Sequence, residues 1–210
     1  MPREPYSSVE NTLIFFAQGE EAQHLRGMDD DLATLIDELE VVSVDIDGDG
    51  FRALARAIVD QQISIHAARV IWLRFEDYCS IVTAETVAAA DEEEMRACGL
   101  SRSKIAALKD LATHVHDGRI DFDHLSQLGD EEVIEVLTQV RGIGRWTAQM
   151  HLIFALGRHD VFAVNDGALR RAVEKLKGLP PKSPPELIEA IAEDWAPYRT
   201  VAALYLWKSL

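Results

Sequence analysis

Apolar residues recur at three- and four-residue spacing along most of this chain, the pattern of amphipathic helices. Residues 7–26 and 29–40 read as the first two. The second opens on Asp29 to Asp31, which suits a helix N-terminus, and carries Leu32, Leu35, Ile36 and Leu39 as its stripe. Val41 to Gly50 alternates briefly and ends in Asp-Gly-Asp-Gly. A lone strand has nothing to pair with, so this stretch is expected to be an extended connector. Phe51 to Val59 puts Phe51, Leu54, Ala55 and Ile58 on one helical face. Gln61-Gln62-Ile63-Ser64 then interrupts, with Ser64 placed to cap a helix over 65–79. Short helices are expected over 83–90 and 91–97. Ser101 or Ser103 starts another over 104–117, a weaker one covers 121–128, and Asp130 caps the next. After Gly157 the run Val161 to Val164 is extended, and Asn165 or Asp166 caps a helix reaching Lys177. Gly178 to Pro185 is a loop. Pro185 suits the first turn of helix 186–194, and Pro197 that of the last helix, 198–209, with Val201, Leu204, Tyr205 and Trp207 inward. The pattern predicts an all-α protein.

One segment interrupts the periodicity in a way that implies chemistry. Val140-Arg141-Gly142-Ile143-Gly144-Arg145 lies between a helical stretch ending near Gln139 and a mostly apolar one from Trp146 to Leu156. Two glycines a residue apart mark a turn that needs positive φ or a very close approach to another group. Such a turn at a helix start aims main-chain N–H groups outward, where they favour phosphate. Arg141 and Arg145 flank it and suit a nucleic-acid backbone.

Charge at first argues against that partner, because the 210 residues carry a net −15. The distribution changes the picture. Residues 1–100 hold 7 basic and 21 acidic side chains, whereas residues 136–180 hold 7 basic against 3 acidic. The positive neighbourhood surrounds the glycine turn, so DNA binding is expected to be modest and steeply salt-dependent. The two cysteines, Cys79 and Cys98, cannot build a four-cysteine cluster and read as a reduced pair. No apolar run approaches a membrane span of about 20 residues. The stretch MPREPYSSVE lacks a signal-peptide plan, so a cytoplasmic, nucleoid-associated protein is expected.

The Val-x-Gly-Ile-Gly-x-x-Thr-Ala run between helices, with an Asp about twenty residues on, resembles the helix-hairpin-helix DNA glycosylases, most closely the 3-methyladenine DNA glycosylase II type. The C-terminal run from Trp195 to Trp207 resembles them too, and the likeness covers roughly residues 30–210. It implies two helical lobes. Residues 48–158 would form a bundle ending in the hairpin, and residues 1–47 plus 159–210 the second lobe, with a cleft between for an extruded base. It also implies monofunctional hydrolysis of the N-glycosidic bond of alkylated bases (3-methyladenine, 7-methylguanine) in double-stranded DNA, by a monomer, in base excision repair.

By the same resemblance Asp166 is the catalytic carboxylate, a role compatible with capping a helix. Cleaving the glycosidic bond builds positive charge on the sugar, which a carboxylate stabilises while it orients or deprotonates water. Related bifunctional enzymes carry a Lys where this chain has Trp146, and a Trp cannot form a Schiff base. Trp146, Met150 and Trp207 would line the base pocket, the indoles attracting a cationic base. The DNA-binding set is Arg141, Gly142, Ile143, Gly144 and Arg145, with Gln62 as the plug filling the gap left by the extruded nucleotide. Arg102, Lys104 and Arg199 are further phosphate-contact candidates. No organic cofactor is implied. A monovalent cation (Na⁺ or K⁺) is implied on the carbonyls of Thr138, Val140 and Ile143. Core packing competes as a reading of Trp146 and Met150, simple exposure as a reading of Gln62, and His151 reads as a satisfied core histidine. The competing functions are a bifunctional glycosylase/lyase and a non-catalytic helix-hairpin-helix DNA-binding module.

Overall fold

The computed structural model describes residues 11–210. In chain order its elements are β1 (Thr12–Phe16), α1 (Glu20–Met28), α2 (Asp30–Leu39), β2 (Val41–Asp45), α3 (Gly50–Asp60), α4 (Ile65–Cys79), α5 (Ala84–Ala89), α6 (Glu92–Ala97), α7 (Arg102–His116), α8 (Phe122–Leu125), α9 (Asp130–Leu137), α10 (Arg145–Phe154), α11 (Gly167–Leu176), α12 (Pro185–Glu193) and α13 (Arg199–Lys208). The protein is helical, as its periodicity predicts, with one small sheet. Among the described residues no helix is long and apolar enough to cross a membrane.

The sheet corrects two readings. Thr12 to Phe16 is a strand, not part of a helix over 7–26, whose first four residues lie outside the described ones. Val41 to Asp45 is its antiparallel partner, not an unpaired connector. The partner lies two helices earlier in the chain, beyond the reach of local pattern. Phe15 opposite Val42 turns apolar surface inward, and Thr12 donates to Asp45 Oδ1 at 2.8 Å at the far end. Two helix starts and one helix length also differ in detail. Gly129, not Asp130, caps α9, its N–H donating to Glu132 Oε2 at 2.8 Å. Pro197 precedes the N-cap Tyr198 instead of opening α13. The weak helix over 121–128 contracts to the four residues of α8.

The chain divides into two compact units, Met1–Ile46 with Leu152–Leu210, and Asp47–His151. The sequence reading draws this line at residue 158, after α10 has ended. In the first unit, α1, α2, α11, α12 and α13 bury Leu25, Leu32, Ile36, Trp195 and Tyr205. Asp29 organises this core. Its carboxylate caps α2 through Asp31 N (3.1 Å) and Leu32 N (3.0 Å), accepts Trp195 Nε1 at 2.9 Å, and pairs with Lys177 Nζ. Burial pushes its pKa up, but these partners outweigh burial and hold it below the usual carboxylate range.

The second unit packs α3 to α9 and the first part of α10 around Leu54, Ile58, Trp72, Phe75, Leu108 and Leu111. Ser64 caps α4, Thr83 caps α5, Asp91 caps α6, Ser101 caps α7 and Asp121 caps α8. His151 is buried there beside the Phe122 ring, at 5.9 Å between centroids, and neither ring nitrogen has a hydrogen-bond partner. The expectation of a satisfied histidine is thus corrected to a buried, unsatisfied one.

Burial lowers the His151 pKa to about 4. The unfolded chain binds this proton from about pH 6.5 downward, the folded chain only near pH 4. Folding stability is therefore expected to fall as pH drops from 6.5 to 4, by up to about 3 kcal/mol. His151→Leu should remove that slope in urea titrations across this range. An unchanged slope would assign the acid sensitivity elsewhere.

Candidate active site and nucleic-acid interface

In the second unit the glycine turn leaves α9 and enters α10. Val140 N–H bonds Leu137 O and Ile143 N–H bonds Val140 O, both at 3.1 Å, while the side chains of Val140 and Ile143 are buried. The apolar positions of the turn thus anchor it from within. The two glycines serve different needs. Gly142 has φ +79° and its missing Cβ would lie 3.2 Å from Ala107 Cβ, so both backbone and packing require it. Gly144 has ordinary φ and open space where a Cβ would go. Its carbonyl accepts the Ala148 N–H that starts α10.

Three side chains that pattern alone does not single out hold this turn. Gln61 reaches from the end of α3 and donates to Gly142 O at 2.9 Å and Thr147 Oγ1 at 3.3 Å. Asp110 on α7 accepts the Arg141 N–H at 2.7 Å. Glu131 on α9 takes the Arg145 guanidinium, with Nη1 to Oε2 at 2.8 Å. Gln62 is exposed and stands at φ +56°, uncommon for a residue with a side chain. The tandem glutamines therefore part, one tied into the turn and the other outward. A groove of about 740 Å³ runs along this surface, lined by Gln61, Gln62, Ser101, Ser103, Lys104 and Arg141. Lys104 Nζ donates to Val59 O at 2.7 Å, and burial lowers its pKa.

Beyond the turn, Trp146 is 39% exposed, and Met150, one helical turn on, is half-buried. Thr147, Ala148 and Gln149 between them are buried. Trp146 is not a core tryptophan.

In the first unit Asp166 ends the extended run. Val161 N–H donates to Thr200 Oγ1 at 2.9 Å, Ala163 is fully buried, and Asp166 N–H bonds Ala163 O at 2.8 Å. Asp166, not Asn165, then caps α11, with Leu169 N–H on Oδ1 at 2.7 Å. The same oxygen accepts Trp207 Nε1 at 3.2 Å. The half-buried Trp207 stacks on Phe154, at 6.0 Å between centroids and 29° between planes. Phe154 is 38% exposed and was not singled out by sequence reasoning, although it follows Trp146 and Met150 at four-residue intervals. Arg199 is not free for phosphate. Asp160 binds it through Nε (2.8 Å) and Nη2 (2.9 Å), and although burial pushes up the Asp160 pKa, these bonds bring it below its usual value. Among the described residues no group of three His, Cys, Asp or Glu is arranged to hold a metal.

The family described as HhH-GPD superfamily base excision DNA repair protein matches residues 55–197. DNA-3-methyladenine glycosylase 1 of Schizosaccharomyces pombe is 40% identical over 76% of this chain and 72% of its own length. DNA-3-methyladenine glycosylase 2 of Escherichia coli is 29% identical over 76% of this chain and 57% of its own length. The crystal structure of a DNA-3-methyladenine glycosidase from Bacillus halodurans superposes with a TM-score of 0.87 at 35% identity, covering 94% of this chain and 92% of that one. The S. pombe 3-methyladenine DNA glycosylase, solved in complex with abasic DNA, superposes with a TM-score of 0.80 at 35% identity, covering 91% and 96%. On sequence and fold together, this chain belongs to the HhH-GPD superfamily of base excision DNA repair proteins.

Proposed function

We propose that the protein is a monofunctional DNA glycosylase that hydrolyses the N-glycosidic bond of alkylated bases in duplex DNA; the relatives it matches are named DNA-3-methyladenine glycosylases. The observation that carries this reading is the carboxylate of Asp166 held by a helix cap and an indole N–H, and the family resemblance adds that Trp146 stands where bifunctional relatives carry a lysine. The glycosidic bond breaks with its electron pair leaving on the base. The sugar carbon turns cationic, Asp166 stabilises it, and a water oriented by the same carboxylate adds there and passes its proton to that carboxylate, which releases it to solvent. A base such as 7-methylguanine already carries positive charge and leaves without a general acid. The indoles of Trp146 and Trp207 are the faces assigned to it, each attraction being about 0.5–2 kcal/mol. Met150, one helical turn after Trp146, is assigned to the same role, and a flexible Met favours loose selectivity.

On the DNA side, Gly142 and Gly144 present main-chain N–H groups to phosphate, the open face of Gly144 suiting such an approach, while Ile143, whose N–H is taken by Val140 O, anchors the turn between them. Arg141 and Arg145 add charge. Gln62 is the plug, because its exposed, left-handed position puts it at the tip of its turn while Gln61 secures the base. The carbonyls of Thr138, Val140 and Ile143 are hard oxygen donors fitting Na⁺ or K⁺. Val140 O already accepts one main-chain bond and keeps a second lone pair. Such an ion would add positive charge beneath the phosphate. We further assign the enzyme to the cytoplasm, working as a monomer on the nucleoid.

A duplex with a single 7-methylguanine tests the reaction. Base release that leaves a strand broken only by alkali is expected. Spontaneous nicking would indicate a lyase, and binding without release a docking module. Asp166→Asn keeps an oxygen for both hydrogen bonds but loses the charge. It should retain DNA affinity and slow single-turnover release by about 10²–10³-fold, and full activity would remove Asp166 from the mechanism. Gln62→Ala should slow release by about tenfold from a fully paired duplex and less where the lesion faces a gap. Equal losses on both substrates would refute a plug.

A further inference from the structure

One carboxylate stands where the proposed function puts a DNA phosphate, and a second braces the turn beside it. Asp110 accepts the main-chain N–H of Arg141 at 2.7 Å. Glu131 meets the fork of Arg145 with both oxygens, Nη1 to Oε2 at 2.8 Å and Nη2 to Oε1 at 2.5 Å. Two carboxylate oxygens present to a guanidinium the same acceptor pair as the two free oxygens of a phosphodiester. Arg145 opens α10 directly after the unobstructed Gly144. The pair is open to water, with side chains 68% exposed for Glu131 and 50% for Arg145. An ion pair of that exposure is weak, screened by salt and replaceable. The Arg145 hydrogen bond keeps the Glu131 carboxyl below the usual range, so the competitor is charged at neutral pH. Arg141 differs, since its exposed side chain makes no ion pair among the described residues.

We propose that Glu131 is a specificity-determining residue. Its carboxylate occupies the Arg145 guanidinium in the free protein and must be displaced by the DNA backbone, which discounts the hairpin's grip on undamaged duplex. Arg141 makes the unopposed contact and Arg145 the exchangeable one. A duplex gains the second contact only by giving up the Glu131 pair, so full engagement waits for the added contacts of an extruded damaged base. The proposal rests on the reading of Arg145 as a phosphate ligand.

Glu131→Gln preserves size and removes the charge. Binding to an undamaged duplex, followed by fluorescence anisotropy, should tighten about two- to fivefold at low salt, and the preference for a lesion-bearing duplex should fall by a similar factor. The gain should vanish in the Arg145→Ala background. Glu135→Gln, the same charge change one turn further along α9, should gain less. Equal gains from the two glutamine variants, or a gain surviving Arg145→Ala, would reduce the effect to bulk charge and overturn the proposal. Weaker binding by Glu131→Gln would overturn it too, making Glu131 a support for Arg145. Loss of affinity in Arg145→Ala with no change in Glu131→Gln sinks this proposal alone. Unchanged affinity in Arg145→Ala sinks the phosphate-ligand reading as well.

Discussion

Oδ1 of Asp166 receives the Leu169 amide at 2.7 Å and the Trp207 indole N–H at 3.2 Å, and the role proposed for the first unit depends on that shared acceptor. A capping carboxylate is fixed by the helix it starts, because the first-turn amides have no other partner. The fixing is reinforced on both sides, since Ala163 before it and Leu169 after it are fully buried. The indole bond ties the same oxygen to α13, whose other aromatic, Tyr205, is core. Trp207 is held in turn by its stack on Phe154. Displacing the carboxylate would therefore disturb a cap, an aromatic pair and the last helix together. A carboxylate held this way needs no strained backbone to stay in place.

The hairpin reaches rigidity by a different division of labour. Its apolar residues, Val140 and Ile143, are sunk into the second unit, and its polar main chain is tied by side chains from α3 and α7. Gly142 is spent on packing against Ala107, while Gly144 meets nothing. The open face of Gly144 lies between Arg141 and Arg145 in sequence and leaves the start of α10 accessible. The neighbouring turn repeats the arrangement with Gln61 bound and Gln62 outward.

Most helix starts were legible in the sequence because their caps are local. Ser64, Thr83, Asp91, Ser101 and Asp121 each act within three residues of their own position. The sheet was not legible, since what makes Val41 to Asp45 a strand is Thr12 to Phe16, some thirty residues earlier. The site divides along the same line. Asp166, Trp146 and the glycine turn sit in a compact sequence motif. Gln61, Asp110 and Glu131 owe their roles to contacts across 14 to 86 residues, and no periodicity reports such contacts. Phe154 lies between these cases, in plain four-residue register with Trp146 and Met150 but passing for an ordinary apolar helix residue until Trp207 was seen against it. His151 shows the opposite error, because burial is readable from pattern while hydrogen-bond satisfaction is not.

The acidity of the chain gives these local arrangements their weight. At physiological ionic strength charges further apart than about 8 Å hardly feel one another, so a net −15 spread over the surface discourages a duplex without deciding how it is held. Attraction has to come from groups that touch the backbone, namely main-chain amides and two arginines. Amides on a rigid turn lose little on binding because they are already aimed, and salt screens them less than it screens an exposed charge. An acidic protein that handles a polyanion is thus pushed toward main-chain recognition at one well-braced turn. Its arginines then add a salt-sensitive share to what the amides supply, and a carboxylate beside one of them becomes a means of adjustment.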